Sequence, residues 1–460
     1  MKKVLVTIAA LGLVAGAATA ASAVEWQISG KYMVEGAYLN SAGTTLDGLG
    51  NPHNGVQATE TPGTSNPSDA YYLHTFEINP SMKVNDKISM YSVVRLADNT
   101  FWGNQTNGDV AGGNTMETTR GNSSGVYIHQ LFMDYLSPIG KFRMGRVSAG
   151  TFGTSFLDFD QHADRIILYP SFLAGGPWSS QFYLQKTTDS RPAIAGTTSS
   201  DSDNNKYVAR GFYKTDSVNA GVEYAYGRNA VTGNTTTVLQ DASIYAMAKL
   251  NNFYLNTEVI YYFGNVNYDA GVANSKDIDS VAGMLNVGGK FDKLDVGAMA
   301  FYAEGQGTDP HEISSALNPT GGNTTTPGNS SVGTGDLFEP FYVLTGKHTG
   351  ILNNNLFDKY TLTASNAGAR AAGVYANYAV SDKMTVHGAV GYAAADKKNT
   401  FRESDYGWEY DLGMAYKLLD NLTYEAHFGF LDTGDFFNGP STTDTTKNIY
   451  VLSHSLTMTF

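Results

Sequence analysis

The chain has 460 residues, 42% of them hydrophobic and 16% charged, with a formal net charge of −13 and no cysteine. An acidic balance argues against a nucleic-acid-binding face, which has to be basic. Without cysteine there can be no disulfide, no thiolate metal site and no covalently attached c-type haem.

Lys2 and Lys3 form a charged n-region, residues 4–18 are an apolar run, and Ala21, Ser22 and Ala23 supply small residues for cleavage. Residues 1–23 therefore read as a secretory signal peptide, too short for a spanning helix, with the mature chain starting at Val24. Losing the two lysines moves the formal charge to −15. No later run of 18 apolar residues occurs, so no transmembrane helix is expected.

From Val24 onward, alternating segments are joined in turn by short polar turns and by long connections rich in Asn, Thr, Gly and Ser. The spacing predicts strands over 25–39, 70–84, 88–98, 126–137, 141–148, 164–170, 178–187, 206–214 and 218–227. It continues with 239–250, 253–264, 278–291, 294–304, 369–380, 384–394, 405–418, 422–431 and 447–460. That makes eighteen; without the weakly patterned pair 164–170 and 178–187 it would be sixteen. The punctuation between them is short, as at Asn85-Asp86-Lys87, Asn251-Asn252, Asp292-Lys293 and Ser381-Asp382-Lys383.

The alternation is clear within single strands. In 407–418, Trp408, Tyr410, Leu412, Met414, Tyr416 and Leu418 share one face, with Glu409, Asp411 and Lys417 on the other. In 253–263, Phe253, Leu255, Val259, Tyr261 and Phe263 oppose Asn256 and Glu258. A soluble sandwich would also alternate. The signal peptide, the number of repeats and the asymmetry between short turns and long connections favour one closed transmembrane antiparallel β-barrel over residues 24–460, all-β, with the short turns on the periplasmic side. A barrel of sixteen or eighteen strands is too wide for side chains to fill, which implies an aqueous lumen.

Two stretches carry a family resemblance. The last, NIYVLSHSLTMTF, puts Tyr450, Leu452, Leu456, Met458 and the terminal Phe460 on one face. It resembles the targeting strand of Gram-negative outer-membrane β-barrels. That resemblance implies recognition by the barrel assembly machinery, closure against the first strand, and a location in the outer membrane among lipid and lipopolysaccharide. The second, VYIHQLFMDYLSPIGKFRMGR followed by VSAGTFGTSFLDFDQHADRIILY, is similar to the region of general porins that leads into and includes their constriction loop. Residues 147–163 would be that loop. The eighteen strands depart from the sixteen of general porins, whose homotrimer the resemblance also implies.

In that family, loop acids face basic wall residues across the narrowest point. Asp158, Asp160 and Asp164 are the corresponding acids here, and Lys31, Arg95, Arg143 and Arg210 are the bases that alternation turns inward. Arg146 would point inward only if Gly145 sat in a bulge. The connection 305–368 holds an apolar patch, Leu337-Phe338 and Phe341 to Leu344, that either folds into the barrel or packs over its mouth. The nine histidines show no metal-ligand spacing, and no catalytic constellation, metal or cofactor is expected. The expected function is an outer-membrane porin for passive diffusion of small hydrophilic solutes and ions. The alternatives are a substrate-specific channel and a barrel sheath around a cytochrome electron conduit.

Overall fold

The structure, a computed structural model, describes residues 24–40, 59–60, 68–102, 127–157, 162–173, 175–189, 203–230, 235–268, 274–317, 338–346, 348–349, 351–352, 367–398, 403–438 and 445–460. The signal peptide, Asp158 and Asp160 lie outside the described residues.

Eighteen long strands make the wall. The first six are β1 (Glu25–Leu39), β2 (Asp69–Asn85), β3 (Ile88–Phe101), β4 (Tyr127–Ser137), β5 (Gly140–Ser148) and β6 (His162–Pro170). Next come β7 (Trp178–Thr188), β8 (Asn204–Lys214), β9 (Val218–Asn229), β10 (Thr235–Leu250), β11 (Phe253–Tyr268) and β12 (Lys276–Phe291). The last six are β13 (Leu294–Ala303), β14 (Ala369–Ser381), β15 (Met384–Ala394), β16 (Asp405–Leu419), β17 (Leu422–Thr433) and β18 (Ile449–Thr459). Each pairs antiparallel with its sequence neighbours, and a two-residue strand, Glu312–Ile313, adds parallel to the end of β12. Among the described residues, no helix is long and apolar enough to cross a membrane.

All eighteen expected strands are present, including the weakly patterned pair, now β6 and β7. Several run a few residues further toward the long connections, as β11 does to Tyr268. Turns 251–252 and 292–293 place Asn251 and Asp292 at φ 54° and 53°. That left-handed conformation suits two-residue hairpins, and Asn and Asp tolerate it.

β1 pairs with β2 on one side and β18 on the other, so the sheet has no free edge. Phe460 adds the final pair of backbone hydrogen bonds: Gly30 N donates to Phe460 O at 2.9 Å and Phe460 N to Gly30 O at 3.1 Å. A side chain at position 30 would collide with the Phe460 ring and with the carbonyl of Glu77, so the glycine provides the flat seat for the terminal aromatic.

The alternation sorts the faces. Leu452, Leu456, Met458 and Phe460 are exposed on the outside, while Val451, Ser453 and Ser455 are buried inside. A sheet with an apolar exterior and a polar interior is stable where lipid, not water, surrounds it. His74 and His454 fall within an outer aromatic cluster, with Tyr72 stacked on Trp102 at 5.2 Å and edge-on to His454 at 5.6 Å. Arg146 is exposed and the β4–β5 register is regular at Gly145, so no bulge turns it inward.

Candidate functional site: the lumen and its two inward connections

The third long connection joins β5 to β6, and its described residues, 149–157, lie inside the barrel. It begins on Arg210 of β8, whose guanidinium donates to the carbonyls of Ala149 and Gly150, and to Gln181 Oε1, at 3.1 Å each. Arg210 also pairs with Glu223 of β9. The connection next crosses β10, where Phe152 meets Tyr245 edge-on at 5.0 Å. Gly153 has φ 73°, and a Cβ there would lie 2.7 Å from the Tyr245 ring, so the backbone passes flush over that tyrosine. On β11, Glu258 Oε2 accepts from both Thr154 N at 2.7 Å and Thr154 Oγ1 at 2.6 Å. Phe156 then packs against Phe301 of β13 at 5.9 Å.

The connection between β13 and β14 also enters the lumen, over residues 338–352 where described. Its backbone is held by wall carboxylates: Val343 N and Leu344 N donate to Glu409, the latter at 2.8 Å, and Tyr342 N to Asp411 Oδ2 at 3.3 Å. Tyr342 Oη meets Ser453 of β18, and burial pushes this phenol's pKa up. His348 bridges Glu35 of β1 and Tyr71 of β2, at 3.0 Å each. Of the two placements open for its apolar patch, the structure shows the inward one.

The wall is shaped to receive this segment. Where the segment docks, the inward positions of β14 and β15 are small, with Ala369, Ala371 and Ala393 buried and Phe341 lying over Gly373 and Gly391, where a Cβ would strike its ring. This is the signal that sequence reasoning missed. Two consecutive strands with alanine and glycine on the inward parity leave a hollow that a large apolar segment of the same chain can fill.

The two connections meet. Phe156 of the first contacts Phe338 of the second at 5.0 Å, and both contact Phe301. Together, the described parts line the inner wall from β5 round through β13 and β18 to β2. The remaining arc, β2 to β5, carries charges paired within the wall. Arg95 bonds Glu77 at 3.0 Å and Asp98 at 2.9 Å. Arg143 holds Asp134 with two bonds, at 2.7 and 2.8 Å. Lys31 stands opposite Glu77 in the β1–β2 register.

These placements revise the expected constriction. Arg210 reaches the third connection, but as the anchor of its first carbonyls, buried from the lumen. Arg95 and Arg143 are inward and each is neutralised by a neighbouring wall acid. Asp164 is corrected outright. Already the first residue of the expected strand, it stands on the outer face of β6, exposed with Ile166, while Ala163, Arg165 and Ile167 turn inward. Arg165, not Asp164, faces the connection, donating to the Val147 carbonyl and to Gln185 Oε1.

No protein-family model and no curated protein matches the chain. Solved structures do. Pseudomonas aeruginosa OccK8 (OprE) superposes with a TM-score of 0.51 at 11% identity, over 94% of this chain and 98% of that one. The chain has the fold of a porin barrel. Pseudomonas aeruginosa OpdQ gives a TM-score of 0.49 at 11% identity, covering 94% of this chain and 98% of its own. An anion-selective porin from Comamonas acidovorans gives 0.44 at 12% identity, covering 95% and 100%. At such identities the likeness is one of architecture.

Proposed function

We propose that the protein is an outer-membrane porin: a water-filled channel for passive diffusion of small hydrophilic solutes and ions, catalysing no reaction. The observation that carries this reading is the polar lumen of a closed barrel narrowed by two inward connections of its own chain. Outside, exposed apolar residues suit hydrocarbon. Inside, charged side chains and polar backbone suit water. The third connection, residues 147–163 with Asp158 and Asp160, acts as one lip of the constriction and the β13–β14 connection as the other. Solutes pass along the paired charges of the β2–β5 arc. The C-terminal strand, with Tyr450, Leu452, Leu456, Met458 and Phe460, serves as the signal read by the barrel assembly machinery. Lipid and lipopolysaccharide surround the barrel, and the homotrimer of general porins is the expected assembly.

Planar-bilayer recording in asymmetric salt tests the reading. Purified mature protein should give stepwise, voltage-independent increases in conductance with a measurable reversal potential. A protein that inserts, as shown by heat-modifiable migration on gels, yet carries no current would overturn it.

A further inference from the structure

Two opposite charges stand on the outer face of the barrel, where lipid would cover them. Arg146 of β5 and Asp164 of β6 are partners in the register, and both are exposed. Arg146 lies six residues along β5 from Gly140, and Asp164 six along β6 from Pro170. At about 3.3 Å per residue and a tilt of about 45°, both sit roughly 14 Å above the periplasmic end of their strands, near the middle of an apolar band about 25 Å tall. Exposed apolar residues continue above that level. Ile128 is nine residues from the periplasmic end of β4, and Tyr410 nine from that of β16. The two charges are therefore inside the belt and not on its rim. Among the described residues, neither side chain has a hydrogen bond or an ion pair, with the other or elsewhere. Their flanking positions in the register are Leu131 on β4 and Lys186 on β7. Lys186 is already engaged, by Asp189 at 2.8 Å and Asp203 at 3.0 Å. Exposed Leu131, Ile166 and Leu184 put apolar surface around the pair.

We propose that the outer face of β4–β7 is the contact between copies of this chain, with Arg146 of each copy paired to Asp164 of the next. The proposal rests on the outer-membrane barrel reading and gives the expected assembly its location. A bare charge in hydrocarbon is costly for either residue. Arginine can bend its long stem toward the headgroups; aspartate, on a single methylene, cannot. A lipid phosphate would suit Arg146 alone and would be repelled by Asp164. A face that carries both signs one strand apart, with leucine and isoleucine around them, is complementary to itself. Packing copy against copy takes both charges out of lipid, and Leu131, Ile166 and Leu184 close apolar surface around the new pairs.

The test uses the full mature protein, read by native mass spectrometry in mild detergent and by chemical crosslinking in isolated outer membranes. Wild type should be an oligomer. Arg146→Asp and Asp164→Arg should each raise the monomer fraction about tenfold, because every contact then sets like charges together. The double variant, with the two residues exchanged, should restore the oligomer, which a merely structural role for either residue would not produce. Heat-modifiable migration on gels reports whether each barrel folds. Should a reversal fail to fold, Arg146→Gln and Asp164→Asn take its place, with the same direction expected. An oligomer unchanged by either reversal would overturn the interface, as would failure of the folded exchange variant to reassemble. Loss of copurifying lipopolysaccharide from Arg146→Asp, with the oligomer intact, would assign the arginine to a lipid headgroup and would also overturn it. A wild type that is monomeric in detergent and in membranes, yet conducts, would refute the interface and leave the channel reading standing. An oligomer that responds to the reversals but carries no current would do the reverse.

Discussion

Thr154→Val tests whether the third connection is docked by the wall. Thr154 is buried, and valine keeps its shape while deleting the hydroxyl. The lost bond, 2.6 Å to the Glu258 carboxylate, is charge-assisted and contributes about 1.5–3 kcal/mol. The Phe156 N–H, which donates to Thr154 Oγ1 at 3.2 Å, loses its acceptor for roughly a further 0.5–1.5 kcal/mol. Thr154 N still reaches Glu258, so part of the docking survives. Taking about 2 kcal/mol as the net loss, the undocked population should rise roughly 30-fold. Hydrogen exchange read by mass spectrometry on a peptide spanning residues 149–157 reports that population, because exchange there follows local opening while the barrel stays folded. The expected result is exchange faster by about that factor. Strand peptides should be unchanged and single-channel noise greater. Thr154→Ser keeps the hydroxyl and should stay near wild type. If valine and serine exchange alike, Glu258 does not hold the connection and its burial has another cause.

Three further outcomes are expected. Deleting Phe460, or replacing it with Asp, should abolish accumulation in the outer membrane without stopping export, because the Gly30–Phe460 backbone pair closes the sheet; cell fractionation reads this, and normal outer-membrane levels would refute it. Glu409→Leu removes the acceptor of Val343 N and Leu344 N, and should free the β13–β14 connection at a cost of about 2–5 kcal/mol, seen as protease cleavage between residues 338 and 352 of the folded barrel; continued resistance would count against the docking. The channel should prefer cations weakly at low salt, with the preference fading as the Debye length shrinks to about 3 Å in molar salt. Asp158→Asn with Asp160→Asn should shift the reversal potential toward anions, and an unchanged potential would mean that these acids do not line the pore.

The strands were legible because lipid outside and water inside impose a strict period of two on every wall segment. Parity placed Glu258, Glu409, Asp411 and Arg210 inward from sequence alone, and each is buried on the inner side. What parity could not supply was a partner. Glu409 meets the backbone of Val343, 66 positions away, and Glu35 meets His348, 313 positions away, by contacts that only the closed barrel creates. Asp164 was misplaced for a local reason. β6 turns Ile167 inward and Ile166 outward, so apolar residues occupy both faces, the alternation blurs, and the strand's start two residues earlier is hidden.

The carboxylates of the inner wall do two different things, and the difference sets the field across the lumen. On the β1–β5 side, Lys31, Arg95 and Arg143 stand with Glu77, Asp98 and Asp134, so opposite charges lie within the wall and largely cancel at a distance. On the β13–β18 side, Glu409 and Asp411 accept from backbone N–H groups of the β13–β14 connection, which orient and hold a carboxyl group without setting a cation beside it. Charges inside a low-dielectric wall act across the water they enclose. The lumen is thus balanced on one side and acidic on the other. This makes the transverse asymmetry a contrast of wall against wall: cation–carboxylate pairs on one, and on the other acids buried beneath the inward connection.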